Sequence, residues 1–429
     1  MENCDPMTHQ TTLGNGLRIV HGHAATAVAY CGFMIDAGTR HEAGAFPAGL
    51  AHCVEHMLFK GTARRDSWHI NQRMEAVGGE LNAFTTKEDT TLYCAFLPHD
   101  FGRAVELLCD LALHATMPAH ELEKEREVIV DEINSYLDTP SELIFDEFED
   151  RLFAAHPLGR SILGTEASLR AVTPADCLRF LGAFYRPKRM VFFSYGPMPF
   201  DRVVSTVRRH YAAAPAPTPM PAPAPQDGRI RPEGSPAMPE DGHIMPEDGH
   251  VVLERGTHQA HVLLGARSYP LGHPHAAALA LLSNILGGPG MNSRLGLQLR
   301  ERRGLVYTVE SSATAFTDAG YFAIYFGCDH ADVQRCLHLC RTQLRRLRDD
   351  ALTPRQLLAA RKQLKGQLAL ATANLENNAI AAAKSLMRLG RVESLADTCA
   401  RIDAVTAAEM QEVADEVFAD GRLLTVVIR

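Results

Sequence analysis

The sequence contains no apolar run of about 18 residues, so no membrane-spanning helix is expected. Its first residues, Met1-Glu2-Asn3-Cys4-Asp5-Pro6, lack the basic and apolar regions of a secretory signal. Excess positive charge is missing too. The formal net charge is −8, which removes the electrostatic case for a nucleic-acid partner. The ten Cys are scattered, with no close pairs in the N-terminal half. A reducing, cytoplasmic setting fits that usage better than a disulfide framework. What is present is a globular composition, 46% hydrophobic and 22% charged, in a chain of 429 residues, long enough for two or more domains.

Within it, His52-Cys53-Val54-Glu55-His56 stands in the apolar stretch Gly49 to Phe59, which has no proline and reads as a buried helix. Residues four apart share a helix face, so His52 and His56 can turn two imidazoles toward one point. Such a pair commonly holds zinc, and an acid between them can serve as the general base of a metallopeptidase. The order His-x-x-Glu-His is the inverzincin signature. Five ordinary helix residues, in a chain with 20 His, are the alternative reading. Further on, residues 118–137 read as a long acidic helix. Glu125 and Glu132 are seven apart and lie on one face, with Val128 and Ile129 on roughly the same side. Such carboxylates are either solvated surface charges or ligands.

The rest of the chain alternates strands and helices. Residues 11–20 read as a hairpin around Asn15-Gly16, and residues 26–36 as a further β-rich run. A helix over 67–77 stops at Gly78-Gly79, and two strands around the polar turn Lys87-Glu88-Asp89 form a hairpin. A strand so close to the His pair can be an open edge that pairs with an extended peptide. Residues 214–250 contain ten Pro and two copies of Met-Pro-Glu-Asp-Gly-His, a low-complexity linker. From 251 the pattern resumes with a strand near 261–266, a helix near 274–286, and a helix ending in Arg300-Glu301-Arg302-Arg303-Gly304. Strands near 305–315 and 320–327, helices over most of 330–415 and a strand at 423–428 follow. Both halves therefore suggest one α+β domain used twice, over 1–213 and 251–429, with the zinc-type motif in the first only. Cys328, Cys336 and Cys340, with His330 and His338, are readable as a second metal group or as buried free thiols.

The chain resembles the pitrilysin-type zinc peptidases, the family of insulin-degrading enzyme and the mitochondrial processing peptidase. The resemblance rests on His52 to Thr62, Gly78 to Ala83, Glu123 to Ile133, His156-Pro157-Leu158-Gly159, Phe184-Tyr185-Arg186-Pro187, Gln259-Ala260-His261 and Gly287 to Tyr307. It implies two homologous domains, each a mostly antiparallel sheet packed with helices. It makes His52, His56 and Glu132 ligands of Zn2+, Glu55 the catalytic base and Glu125 a supporting acid. Asn82 and Ala83 become the edge that holds the substrate backbone, and Arg300 and Tyr307 a pair near the scissile carbonyl. Three protein ligands leave zinc an open position, and two imidazoles with one carboxylate leave a net positive charge. The expected activity is endopeptidase cleavage of unfolded peptides or oligopeptides. A leader-peptide processing peptidase and a non-catalytic subunit of a peptidase heterodimer are the alternatives. The resemblance further implies a homodimer, or a heterodimer with a related chain, in which Arg300 and Tyr307 serve the partner's site.

Overall fold

The computed structural model describes residues 7–211 and 249–429. The N-terminal stretch Met1 to Pro6 and the Pro-rich linker, but for its last two residues, lie outside the described residues. The chain begins with β1 (Met7–Thr12), β2 (Arg18–His23), β3 (Ala29–Ile35), α1 (Leu50–Leu58) and α2 (Ser67–Glu75). There follow β4 (Glu80–Thr85), β5 (Thr90–Phe96), α3 (Phe101–His114), α4 (Ala119–Leu137) and α5 (Pro140–Leu152). Next come α6 (Glu166–Ala171), α7 (Pro174–Phe184), β6 (Met190–Gly196) and α8 (Phe200–Tyr211). After the linker stand β7 (His250–Leu253), β8 (Ala260–Ser268), α9 (Ala276–Gly287), β9 (Val306–Ala315) and β10 (Gly320–Cys328). The chain closes with α10 (Val333–Asp349), α11 (Pro354–Ala371), α12 (Leu375–Leu389), α13 (Leu395–Ala404), α14 (Ala407–Val417) and β11 (Leu424–Ile428). No helix among the described residues is long and apolar enough to cross a membrane.

The elements form two sheets, ordered β1-β2-β6-β3-β5-β4 and β7-β11-β8-β10-β9. One pair in each is parallel, β2 with β6 and β7 with β11, and the others are antiparallel. The expected α+β architecture with a mostly antiparallel sheet in each domain is what the structure shows.

The compact units do not follow the linear halves 1–213 and 251–429. The first takes the chain up to Asn134, the stretch from Arg160 through α8, and Thr372–Ser394. The second takes Ser135–Gly159, the chain from β7 to Ala371, and Leu395–Arg429. Thus α12 covers the first sheet and α5 the second, each drawn from the other part of the sequence. The reason is written in the strands. Every residue of β6 and of β11 is buried, so each sheet needs apolar cover on both faces. In β6, Phe192 joins the core under α1 and α3, while Val191, Phe193 and Tyr195 meet Ala379, Ala383 and Leu386 of α12. In β11, Val427 joins the core with α9 and α14, while Leu424, Val426 and Ile428 meet Ile144, Phe148 and Leu152 of α5.

Candidate metal and active site

Helix α1 forms because nothing in Leu50 to Leu58 breaks it, and Leu50, Ala51, Val54, Met57 and Leu58 bury one side in the first core. Its N-terminus has no side-chain cap of its own, since the capping position is Gly49 in the left-handed region. The buried carboxylate of Glu42 does that work. It accepts from Gly49 N at 2.9 Å and Ala51 N at 2.7 Å. Burial raises its pKa to about 8 against the opposing pull of those two N–H groups.

One turn into α1, the His52 and His56 rings lie 4.6 Å apart, centre to centre. Both Nε2 atoms face one oxygen, Glu132 Oε2 on α4, at 3.7 Å from His52 and 3.5 Å from His56. These separations are long for hydrogen bonds. They suit an ion between the groups: a tetrahedral centre with bonds of about 2.0–2.2 Å keeps neighbouring donor atoms about 3.4 Å apart. Among the described residues these three form the one His/Cys/Asp/Glu group whose donor atoms all lie within 4.8 Å of one another. Burial, with His56 beside it, lowers the His52 pKa to about 4, so the ring is neutral and ligand-ready at pH 7. Glu132 is held below the ordinary carboxylate range by its interaction with His56.

The opposite nitrogen of His56, Nδ1, lies 3.2 Å from Glu125 Oε2; when Nδ1–H donates to that carboxylate, the neutral ring keeps its lone pair on Nε2. Glu125 Oε1 in turn lies 2.6 Å from Lys60 Nζ. Glu125 thus stands behind His56, and Glu132 is the carboxylate of the donor group. On α4, Ile129 is fully buried in the first core but Val128 is 51% exposed, so the two do not share a side as the spacing suggested. Glu55 projects from α1 between the two histidines in sequence. Its Oε2 accepts from Thr85 Oγ1, at the end of β4, at 2.6 Å. Burial raises the Glu55 pKa above its ordinary value, although the Thr85 hydrogen bond works the other way.

Strand β4 is the last strand of its sheet and pairs with β5 alone, so Asn82 and Ala83 stand on an edge strand as expected. Arg300 and Tyr307 belong to the second unit. Arg300 sits in a π-helical turn, Gly296–Glu301, where the sequence suggested an ordinary helix end. Its guanidinium lies 5.7 Å from the centre of the Tyr307 ring, and Tyr307 is 83% exposed on β9. Cys328, Cys336 and Cys340 are buried in the second core, which fits the reading as free thiols.

Two residues escaped sequence reasoning. Glu42 and Lys60 had no pattern to mark them, because their roles exist only through contacts across the fold. The turn Lys87-Glu88-Asp89 reads as polar, yet all three residues are buried.

The family model described as "Insulinase (Peptidase family M16)" matches residues 18–166, and the one described as "Peptidase M16 inactive domain" matches residues 171–364. The chain is 36% identical over 409 residues to a protein of Mycobacterium tuberculosis named as an uncharacterized zinc protease, covering 94% of this chain and 89% of that one. It is 28% identical over 423 residues to the beta subunit of the mitochondrial-processing peptidase of Bos taurus, covering 97% and 83%. The crystal structure of a protease from Helicobacter pylori has the same fold, with a TM-score of 0.84 at 21% identity over 99% of this chain and all of that one.

Proposed function

The chain belongs to the M16 peptidase family, and from that premise we propose that it is a zinc-dependent endopeptidase acting on unfolded peptides or oligopeptides. The observation that carries the reading is the convergence of His52 Nε2, His56 Nε2 and Glu132 Oε2, with Glu55 on the same helix. The donor set of two imidazoles and one carboxylate is that of catalytic zinc sites. When bound, zinc supplies Lewis acidity that polarises a peptide carbonyl and makes water a better nucleophile at neutral pH.

The chain's own groups account for the remainder. An extended peptide adds to β4 as a further strand, with Asn82 and Ala83 offering backbone groups at the open edge. Thr85 occupies Glu55 Oε2, so Oε1 is the oxygen that accepts the proton of the attacking water. The raised pKa of Glu55 suits a group that must then return that proton to the leaving amine. Lys60 and Glu125 hold the His56 ring. Arg300 and Tyr307 are donors for the negative charge that develops on the carbonyl oxygen, a contribution typically worth about 3–4 kcal/mol per donor. In this reading the chain works as a dimer and the Arg300–Tyr307 pair serves the site of the second chain. A mixture of Glu55→Gln and Tyr307→Phe chains then regains activity when subunits exchange.

The direct test is cleavage of a quenched, unstructured peptide mixture by the wild-type chain beside Glu55→Gln. Glu55→Gln is expected to lose turnover by about 10²–10⁴-fold while keeping its zinc, because the amide cannot take the proton and the position is not a ligand. Equal cleavage by the two would remove Glu55 from its role.

A further inference from the structure

We propose that Arg388, on α12, is a positioning residue for the substrate edge. It clamps the turn that ends β4, so a helix from far along the sequence sets the geometry beside Glu55. The proposal rests on the peptidase reading for its kinetic consequence, but not for its structural one.

The turn between β4 and β5 is unusual. Lys87, Glu88 and Asp89 are only 5%, 5% and 1% exposed. Burying three charged side chains in one turn is costly unless each is paired. Lys87 Nζ donates to Arg160 O at 2.5 Å, and Arg40 Nη1 donates to Glu88 Oε1 at 2.5 Å. Arg388 closes the turn's far end. Its Nη2 donates to Asp89 Oδ2 and to Glu88 O, both at 3.1 Å, and its Nη1 donates to Asp36 Oδ1 at 2.6 Å. The planar guanidinium thereby ties the turn to the end of β3, a geometry that a lysine cannot reproduce.

From there the path to the site is short. Thr86 Oγ1 accepts from Asp89 N at 3.0 Å, and Thr86 N donates to Asp89 O at 2.8 Å. The preceding residue, Thr85, is the one that donates to Glu55. Arg388 therefore fixes Asp89, Asp89 fixes Thr86, and the end of β4 follows.

The seat of α12 does not depend on this side chain. Arg18 Nη1 donates to Leu386 O at 3.1 Å and Met387 O at 3.3 Å, and Tyr93 OH donates to Glu376 Oε1 at 2.7 Å. The apolar contact of Ala379, Ala383 and Leu386 with β6 adds to these. Removing the guanidinium should loosen the turn and leave the helix in place.

The experiment compares the full-length wild type, Arg388→Met and Arg388→Lys by amide hydrogen exchange, zinc content and peptide kinetics. In Arg388→Met, exchange in residues 85–89 is expected to rise about tenfold or more while residues 125–133 of α4 keep wild-type protection. Zinc content should be unchanged. KM should rise about tenfold with kcat altered less than about threefold, because the variant keeps the Thr85 hydroxyl that bonds Glu55 and loosens only the turn beyond it. Arg388→Lys should fall between, and it decides the matter should the methionine variant not fold. Wild-type exchange across 85–89 would overturn the proposal, as would an equal rise throughout α4, which marks mere global loosening. A wild-type chain that cleaves no peptide would count against the peptidase reading alone, since the exchange comparison still decides the role of Arg388.

Discussion

In the first unit, the helix that packs against the edge strand carries two imidazoles and a carboxylate. In the second unit, the helix in the same place is mostly Ala and Leu and carries no His or acid. Numbered along the chain, β2-β6-β3-β5-β4 and β7-β11-β8-β10-β9 have the same order, down to the position of the one parallel pair. Helix α1 follows β3 and packs on the edge strand β4, and α9 follows β8 and packs on the edge strand β9. Even the polar link between helix and edge recurs. Thr85 donates to Glu55 in one unit, and Ser311 donates to Ser283 O at 2.7 Å in the other. The fold thus supplies a helix against an open edge twice, and three side chains on α1, completed by Glu132 of α4, separate a group able to hold a metal from a packing contact. Chemistry resides in the site and not in the architecture that carries it.

That contrast can be broken in graded steps. Glu132→Gln should weaken zinc binding most, by more than the roughly 10–100-fold that loss of a group behind a ligand costs. Undiminished occupancy in a zinc titration would pass the third position to Glu125. Glu125→Gln should fall within that range of about 10–100-fold, because His56 Nδ1 loses a charged acceptor but no donor atom leaves the group.

Acid should also separate the units. Burial lowers His21 and His41 of the first unit to about 4. Between about pH 6.5 and pH 4 the unfolded chain protonates these two rings and the folded unit does not, so their contribution to stability falls as pH falls through that window, against an opposite contribution from Glu42, which burial raises to about 8. His261 and His273 of the second unit are also lowered by burial. Hydrogen exchange at pH 7 and pH 5 should show the first unit loosening more, and equal loosening would remove the distinction. The smallest effect is expected from the two polar links. Thr85→Val and Ser311→Ala should each cost about 0.5–1.5 kcal/mol of stability in denaturant titrations. Only Thr85→Val should also lower kcat, and a matching loss from Ser311→Ala would blur the comparison.

Much of this was legible in the sequence. The His52–His56 spacing, the hairpin that places Asn82 and Ala83 on an edge, and the seven-residue step from Glu125 to Glu132 are local periodicities, and α1, β4 and α4 follow them. The exchange of α5 and α12 was not legible, because a fully apolar strand such as Met190 to Gly196 demands cover on both faces without naming the helix that provides it. Glu42, Lys60 and Arg388 were hidden for a related reason. Each acts on a group seven to more than 300 positions away, and nothing in the intervening sequence records the contact. The turn at Lys87-Glu88-Asp89 misled in the opposite direction, since three charges in a hairpin ordinarily mean solvent.

The central claim is that one unit of the pair holds a metal and the other does not. Zinc per chain, measured by elemental analysis on the full-length protein and on His56→Ala, tests it most directly. The account predicts one zinc per chain in the wild type and none in the variant. Two zinc per chain, or one that survives the loss of His56, would contradict it.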